Sequence, residues 1–510
     1  MNTNDAVPQS RGLKKRLDWI ITLIPFFAIC NFMFPVYGIP PRLRFHSGIH
    51  PFFLGDQLGS YYLLLGLGAL ICSFYMAFSR YGKIKLGNLE KPQYSPFRWG
   101  SMMFTAGLAA DILFYRCASG CSMPGNRALR IWGPCRTGPP PTSVSLGPIP
   151  WSFYMILAVC FGFMIHVRKR SKQKYSEACR ALLGKRVDGI WGKLIDLTAV
   201  FALLAGTATT FSLATPLLSA ALSRVFGVGE SNVLTIAILI IICVVYTLAV
   251  YFGMEGIAKL AASCVYLFFV LLAYFFLLGG ETRFIIETGI TAIGNLTQNF
   301  IGLSTWTDAL RTSSFPQTWT IFYWAYWMVW CVATPFFIGT ISKGRTIRQT
   351  VLGGYFFGLA GTFTSFIILG NYGLGLQMHG RLDLMGLYAK TGDLYQTIIA
   401  VFETMPLAKA GLALLAVTMI AFYATSFDAL TMVASSYSYK ALGAGEEPDK
   451  AVKLFWAIML MLLPIALIFA KNSMANLQTV SIIAAFPIGF IIILIVWSFF
   501  KDAGNYLKGE

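Results

Sequence analysis

Residues 317–341 read QTWTIFYWAYWMVWCVATPFFIGTI, and residues 342–348 read SKGRTIR. The first stretch holds no charged residue. It is long enough to cross the roughly 30 Å hydrocarbon core of a bilayer, which takes about 20 apolar residues in a helix. The second stretch closes it with Lys343, Arg345 and Arg348. Apolar runs of this kind recur along the chain, and spans are expected near 17–38, 60–79, 97–116, 150–168, 192–224, 233–253, 258–279, 317–341, 351–373, 407–438, 453–470 and 478–500. The fold class is an all-α membrane protein of about twelve transmembrane helices.

Composition agrees. Hydrophobic residues make up 56% of the 510 and charged residues 12%, with a mean hydropathy of +0.65. A soluble chain of this length needs more charge to cover its surface. The first run, around Leu17–Pro35, is too long for a signal peptide and lacks a small-residue cleavage site, so it reads as a retained span. Residues 281–305 are amphipathic and too polar to span, and are expected to form an interfacial helix between the two halves of the chain.

The net charge of +18 does not point to nucleic acid, because the basic residues punctuate the apolar runs. They gather at Arg11–Arg16, at Arg80, Lys83, Lys85 and Lys91, at Arg168, Arg170, Lys172 and Lys174, and at Lys343, Arg345 and Arg348. With twelve spans all of these share one face with both ends of the chain. That face is expected to be the cytoplasmic side of a bacterial inner membrane. Residues 1–16 form a cytoplasmic segment, 17–500 a single transmembrane domain, and 501–510 a short cytoplasmic tail.

One stretch breaks the pattern. Residues 116–146 are rich in Arg, Cys, Pro and Gly, and place Arg116, Arg127, Arg130 and Arg136 on the outer face. Two accounts stay open: an unusual outer loop, or an offset reading frame, since codons read one base early between Arg116 and Gly138 can spell a different peptide without a stop. Resequencing the gene separates them. The ten cysteines have no metal-ligand spacing, and the four histidines include no His-x-x-x-His pair. No nucleophile–base motif or phosphate loop is present either, so neither an enzyme nor a cofactor is expected.

Trp319–Trp330 crowds aromatic rings at helical spacing. A quaternary ammonium has no N–H to donate, so contact with aromatic faces is the main way to bind it selectively. An aromatic packing surface or membrane belt is the competing reading of the same residues.

The stretch, running on into residues 341–348, resembles the signature of the betaine/carnitine/choline transporter family. The likeness extends to Gly147–Tyr154, Gly206–Leu218, Phe315–Gln317 and Ala424–Asp428, and its nearest flavour is the carnitine/γ-butyrobetaine antiporters. The resemblance implies two inverted five-helix repeats, about 97–280 and 317–500, in a LeuT-like core preceded by two extra helices. It implies a homotrimer and a substrate site at broken helices near the midplane. The expected break in the third span is Thr105–Asp111, with the eighth span as its repeat mate.

By the same resemblance, Trp151, Tyr154, Tyr326 and Trp327 form the aromatic box, with Leu146 standing where the family has a further Trp. Trp319, Trp330 and Tyr115 line the outer approach or a second substrate site. For coupling, Thr425 and Ser426 match the pair that binds sodium in sodium-driven relatives. Lys259 matches the basic residue that replaces the ion in sodium-independent exchangers, and Asp111 is an added ionisable group in the third span. Bland readings exist for each: a snorkelling Lys259 and hydroxyls bonded to their own helix. The expectation is sodium-independent exchange of L-carnitine or γ-butyrobetaine. Ion-coupled uptake of glycine betaine or choline is the alternative, and a non-transporting receptor the reading from another class. The short tail argues against osmotic regulation.

Overall fold

The computed structural model describes Trp19, 21–26, 57–106, 147–170, 172–229, 231–251, 253–310, 315–440, 442, 448–470 and 474–509. Among these residues no strand forms; one isolated antiparallel bridge pairs Lys85 with Thr346. The anomalous segment 116–146, most of the first span, and Asp111 and Tyr115 lie outside the described residues.

Among the described residues, sixteen helices carry the fold. In chain order they are α1 Gly59–Phe78, α2 Pro96–Ala106, α3 Pro148–Gly162, α4 Ile190–Phe226, α5 Asn232–Tyr251, α6 Gly253–Leu278, α7 Thr282–Thr305 and α8 Phe322–Trp330. Then come α9 Thr334–Ile341, α10 Ile347–Ser365, α11 Asn371–Met378, α12 Leu384–Thr391, α13 Leu394–Glu403, α14 Ala408–Tyr437, α15 Lys450–Ala470 and α16 Met474–Lys508. Two single-turn helices, Tyr175–Ala178 and Arg180–Leu183, lie between α3 and α4. Six helices among the described residues are long and apolar enough to cross a membrane, or up to eight when each bent pair counts as one span.

Helix α1 shows why the solvent of this fold is lipid. Tyr62, Ala69 and Met76, seven residues apart, are buried, while Leu64, Ile71 and Phe78 are 70%, 70% and 62% exposed. A helix apolar on all sides that buries only one face turns the other to hydrocarbon. In water those side chains would form an apolar patch of the kind monomers avoid.

The helix pairings repeat. Take α2 to α6 as one set, and the α8–α9 pair, α10, α14, α15 and α16 as the second. Exchanging the sets maps the contact of α4 with α16 onto that of α14 with α6, and α3 with α9 onto α10 with α2. The contact of α2 with α6 maps onto α8 with α16, and that of α5 with α14 onto α15 with α4. The contacts of α4 with α14 and of α3 with α10 map onto themselves.

Two sharp bends interrupt the helices. The chain turns by 113° between α6 and α7 at Gly279-Gly280-Glu281, which throws amphipathic α7 off the span that precedes it. Gly280 takes φ +77°, which a side chain disfavours. Glu281, 5% exposed, accepts from His379 Nδ1 at 2.9 Å and Arg381 Nη1 at 3.0 Å, tying that corner to the end of α11. The second bend, of 56°, breaks the eighth span between α8 and α9, where Pro335 enters the helix without an N–H.

On the basic face Arg168 and Arg170 both pair with Asp502 on α16. Asp188 accepts from Arg180 and from Lys172 at 2.6 Å, and the Arg180 hydrogen bond, then that of Lys172, holds its carboxyl well below the usual range.

Candidate functional site

Helix α3 begins Pro148-Ile149-Pro150-Trp151, with two prolines in the first turn, where no intrahelical N–H is needed. This start sets Trp151 and Tyr154 three residues apart, on one face. Trp327 comes from α8, which packs against α3. The rings of Trp151 and Trp327 lie 5.3 Å apart, Tyr154 and Trp327 4.6 Å, and Trp151 and Tyr154 5.8 Å. All three side chains are buried, at 0%, 4% and 3% exposure. Rings this close leave no room for a trimethylammonium group between them, so such a ligand meets the faces left open or parts the rings.

Helix α10 supplies the seat of Trp151. The indole Nε1–H donates to Thr362 Oγ1 at 3.2 Å, and Thr362 in turn donates to the Gly358 carbonyl at 3.1 Å. A Cβ on Gly358 would stand 2.6–2.7 Å from Cη2, Cε2 and Cε3 of Trp151. Gly358 and Thr362 did not come out of the sequence reading. Small residues four apart on an apolar helix mark a close approach, and this spacing is the signal that could have found them.

The other expected residues fall into separate groups. Tyr326 precedes Trp327 by about 100° around the helix, turning its ring away from Trp151 and Tyr154. Its hydroxyl hydrogen-bonds to Thr210 on α4, and its ring stacks on Phe322 at 5.5 Å. Trp330 is half-buried against Gly206, where a Cβ would lie 3.6 Å from its indole nitrogen. Trp319 belongs to a column of rings, with Trp306–Phe315 at 6.0 Å, Phe315–Trp319 at 6.2 Å and Trp319–Tyr323 at 5.8 Å.

Helix α4 shows a role that the sequence left unread. Its hydroxyls reach four neighbouring helices: Thr209 to Ser481 on α16 at 2.8 Å, Thr210 to Tyr326 on α8, Thr215 to Tyr423 on α14 at 3.0 Å, and Ser219 to Thr235 on α5 at 3.1 Å. In hydrocarbon each such bond is worth about 0.6 kcal/mol and fixes helix register. Phe211 adds a stack on Tyr423 at 4.9 Å and on Phe427 at 4.2 Å.

Of the residues expected to serve coupling, Thr425 Oγ1 donates to the Phe422 carbonyl of its own helix at 3.0 Å. Ser426 beside it is half-buried. Lys259 lies in α6, which packs along α14, and its side chain falls outside the described residues. No group of three metal-ligating side chains occurs among the described residues.

Comparison with known proteins bears on this arrangement. The model of the betaine/carnitine/choline family transporters matches residues 20–508. A carnitine transporter of Acinetobacter baumannii is 28% identical over 448 residues, 86% of this chain and 80% of its own length. A glycine betaine transporter of Bacillus subtilis, OpuD, is 29% identical over 506 residues, covering 95% and 93%. The uncharacterized transporter YeaV of Escherichia coli is 28% identical over 439 residues, covering 85% and 90%.

Proposed function

This chain belongs to the betaine/carnitine/choline family of transporters, multi-pass membrane proteins rather than enzymes, and on that premise we propose that it exchanges carnitine-type betaines without sodium. The observation that carries this reading is the buried triad of Trp151, Tyr154 and Trp327, three aromatic rings from two helices withdrawn from water at one point. Trp327 lies eleven residues beyond Pro316, about 16 Å along a broken span that ends at Ile341. A desolvated ring contributes about 2 kcal/mol to a bound cation, against 0.5–1 kcal/mol or so at an exposed site. The trimethylammonium head is what the triad selects.

In this proposal Lys259 supplies the fixed charge that makes sodium unnecessary, and Asp111 is its partner. The carrier is a homotrimer in the inner membrane with both ends of the chain cytoplasmic. Thr425 and Ser426, together with the likeness to a glycine betaine transporter, support a second reading, sodium-coupled uptake. Counterflow in proteoliposomes separates the two. Labelled carnitine outside should accumulate against unlabelled carnitine inside, equally in sodium and in potassium. Accumulation only under a sodium gradient would establish the second reading, and binding without counterflow would make the chain a receptor.

A further inference from the structure

The break in the eighth span leaves a backbone carbonyl without its helical partner. The Cys331 carbonyl would accept from the N–H of residue 335, and that residue is Pro335, which has none. The partner comes from a distant loop instead: the Tyr175 hydroxyl donates to the Cys331 carbonyl at 2.5 Å. Both residues are fully buried.

Tyr175 is itself held from several sides. Its backbone N–H donates to the Tyr437 hydroxyl at 3.0 Å, at the end of α14, and its ring packs on Phe161 of α3 at 5.2 Å. Lys174 Nζ donates to the Tyr437 carbonyl at 3.3 Å. The Ser176 N–H and hydroxyl donate to the two carboxylate oxygens of Asp196 on α4, each at 3.0 Å. Three consecutive loop residues thus tie α3, α4, α14 and the broken span into one knot on the basic face. Cys331 lies four residues past Trp327, about 6 Å along the helix from the aromatic triad.

We propose that Tyr175 is a positioning residue for transport: its hydroxyl replaces the N–H that Pro335 lacks, holds the α8–α9 break in its closed geometry, and must let go when the basic face opens to the substrate site. This rests on the carrier reading above. The substitution Tyr175→Phe removes the hydroxyl and keeps the ring on Phe161. The buried Cys331 thiol reports opening without any substrate, so the test stands even if the transported compound has been misidentified.

In inside-out vesicles, maleimide labelling of Cys331, read by peptide mass spectrometry, should quicken by about tenfold in Tyr175→Phe, the population change expected from losing one hydrogen bond. Labelling of the buried Cys160 and Cys264 should stay at the unmutated rate. Adding Pro335→Ala returns an N–H to position 335, and in that background Tyr175→Phe should change Cys331 labelling by less than about twofold. An unchanged rate in Tyr175→Phe, an equal rise at all three cysteines, or an undiminished effect beside Pro335→Ala would each overturn the proposal.

Discussion

The contact between Gly358 and Trp151 allows a single methyl group to be used as a probe of the site. In Gly358→Ala the new Cβ arrives 2.6 Å from Cη2 and 2.7 Å from Cε2 and Cε3 of an indole that is fully buried and bonded through Nε1. Carbon atoms settle at about 3.5 Å, so the ring must retreat by about 1 Å. Overpacking of this kind costs about 1–3 kcal/mol, while replacing a helical glycine by alanine returns about 1 kcal/mol. Net destabilisation is therefore about 0–2 kcal/mol, and the protein should remain folded. Displacing one ring of the triad removes much of a desolvated cation–π contact, about 1–2 kcal/mol, so the Kd for carnitine should rise about 5–30-fold. Titration calorimetry on purified protein reads both Kd and enthalpy. The offending atoms belong to the six-membered ring of the indole, so Trp151→Phe should relieve the clash. In that background Gly358→Ala should shift Kd by less than about twofold. Strictly additive effects, or a Kd unmoved by Gly358→Ala alone, would show that the Trp151 face is no wall of the ligand site.

Three further outcomes are expected. Lys259→Ala should abolish uptake or make it sodium-dependent, whereas the unmutated carrier should transport equally in sodium and potassium; strict sodium dependence of the unmutated protein sinks the exchange reading. Trp327→Ala should raise the Kd by about 30-fold or more, whereas Tyr326→Phe, which keeps the ring and loses the bond to Thr210, should leave Kd within about threefold and lower stability by about 1 kcal/mol, as read by thermal melting. Asp188, its carboxyl depressed by Arg180 and Lys172, contributes stability above the ordinary carboxylate value and loses that contribution as pH falls through its lowered value. The melting-temperature gap between unmutated protein and Asp188→Asn should therefore be constant above about pH 5 and shrink below about pH 4; a gap unchanged in acid counts against that pairing.

Much of the fold was legible because a membrane imposes a one-dimensional rule. Spans must be apolar for about 20 residues and loops facing one side must be basic, so hydropathy and Lys/Arg placement located α1, α3, α4, α10, α14 and α16 without tertiary information. The bend at 279–281 was visible as the point where the apolar run yields to an amphipathic one. Of the site, aromatic spacing singled out the eighth span, and likeness to a family added Trp151 and Tyr154.

Other features depended on contacts between residues far apart in sequence. Helical phase separates Tyr326 from Trp327, but only packing shows that one ring meets α4 and the other α3. Gly358 and Thr362 lie 207 and 211 positions from Trp151, by subtraction of their numbers, and no local pattern links them to it. The sequence by itself determined that this chain crosses the membrane repeatedly and carries aromatic faces suited to a quaternary ammonium, because hydropathy and ring chemistry are properties of residues. Tertiary structure alone decided which rings meet, and that Tyr175 answers the carbonyl orphaned by Pro335, because a hydrogen bond depends on position in space and not on order along the chain.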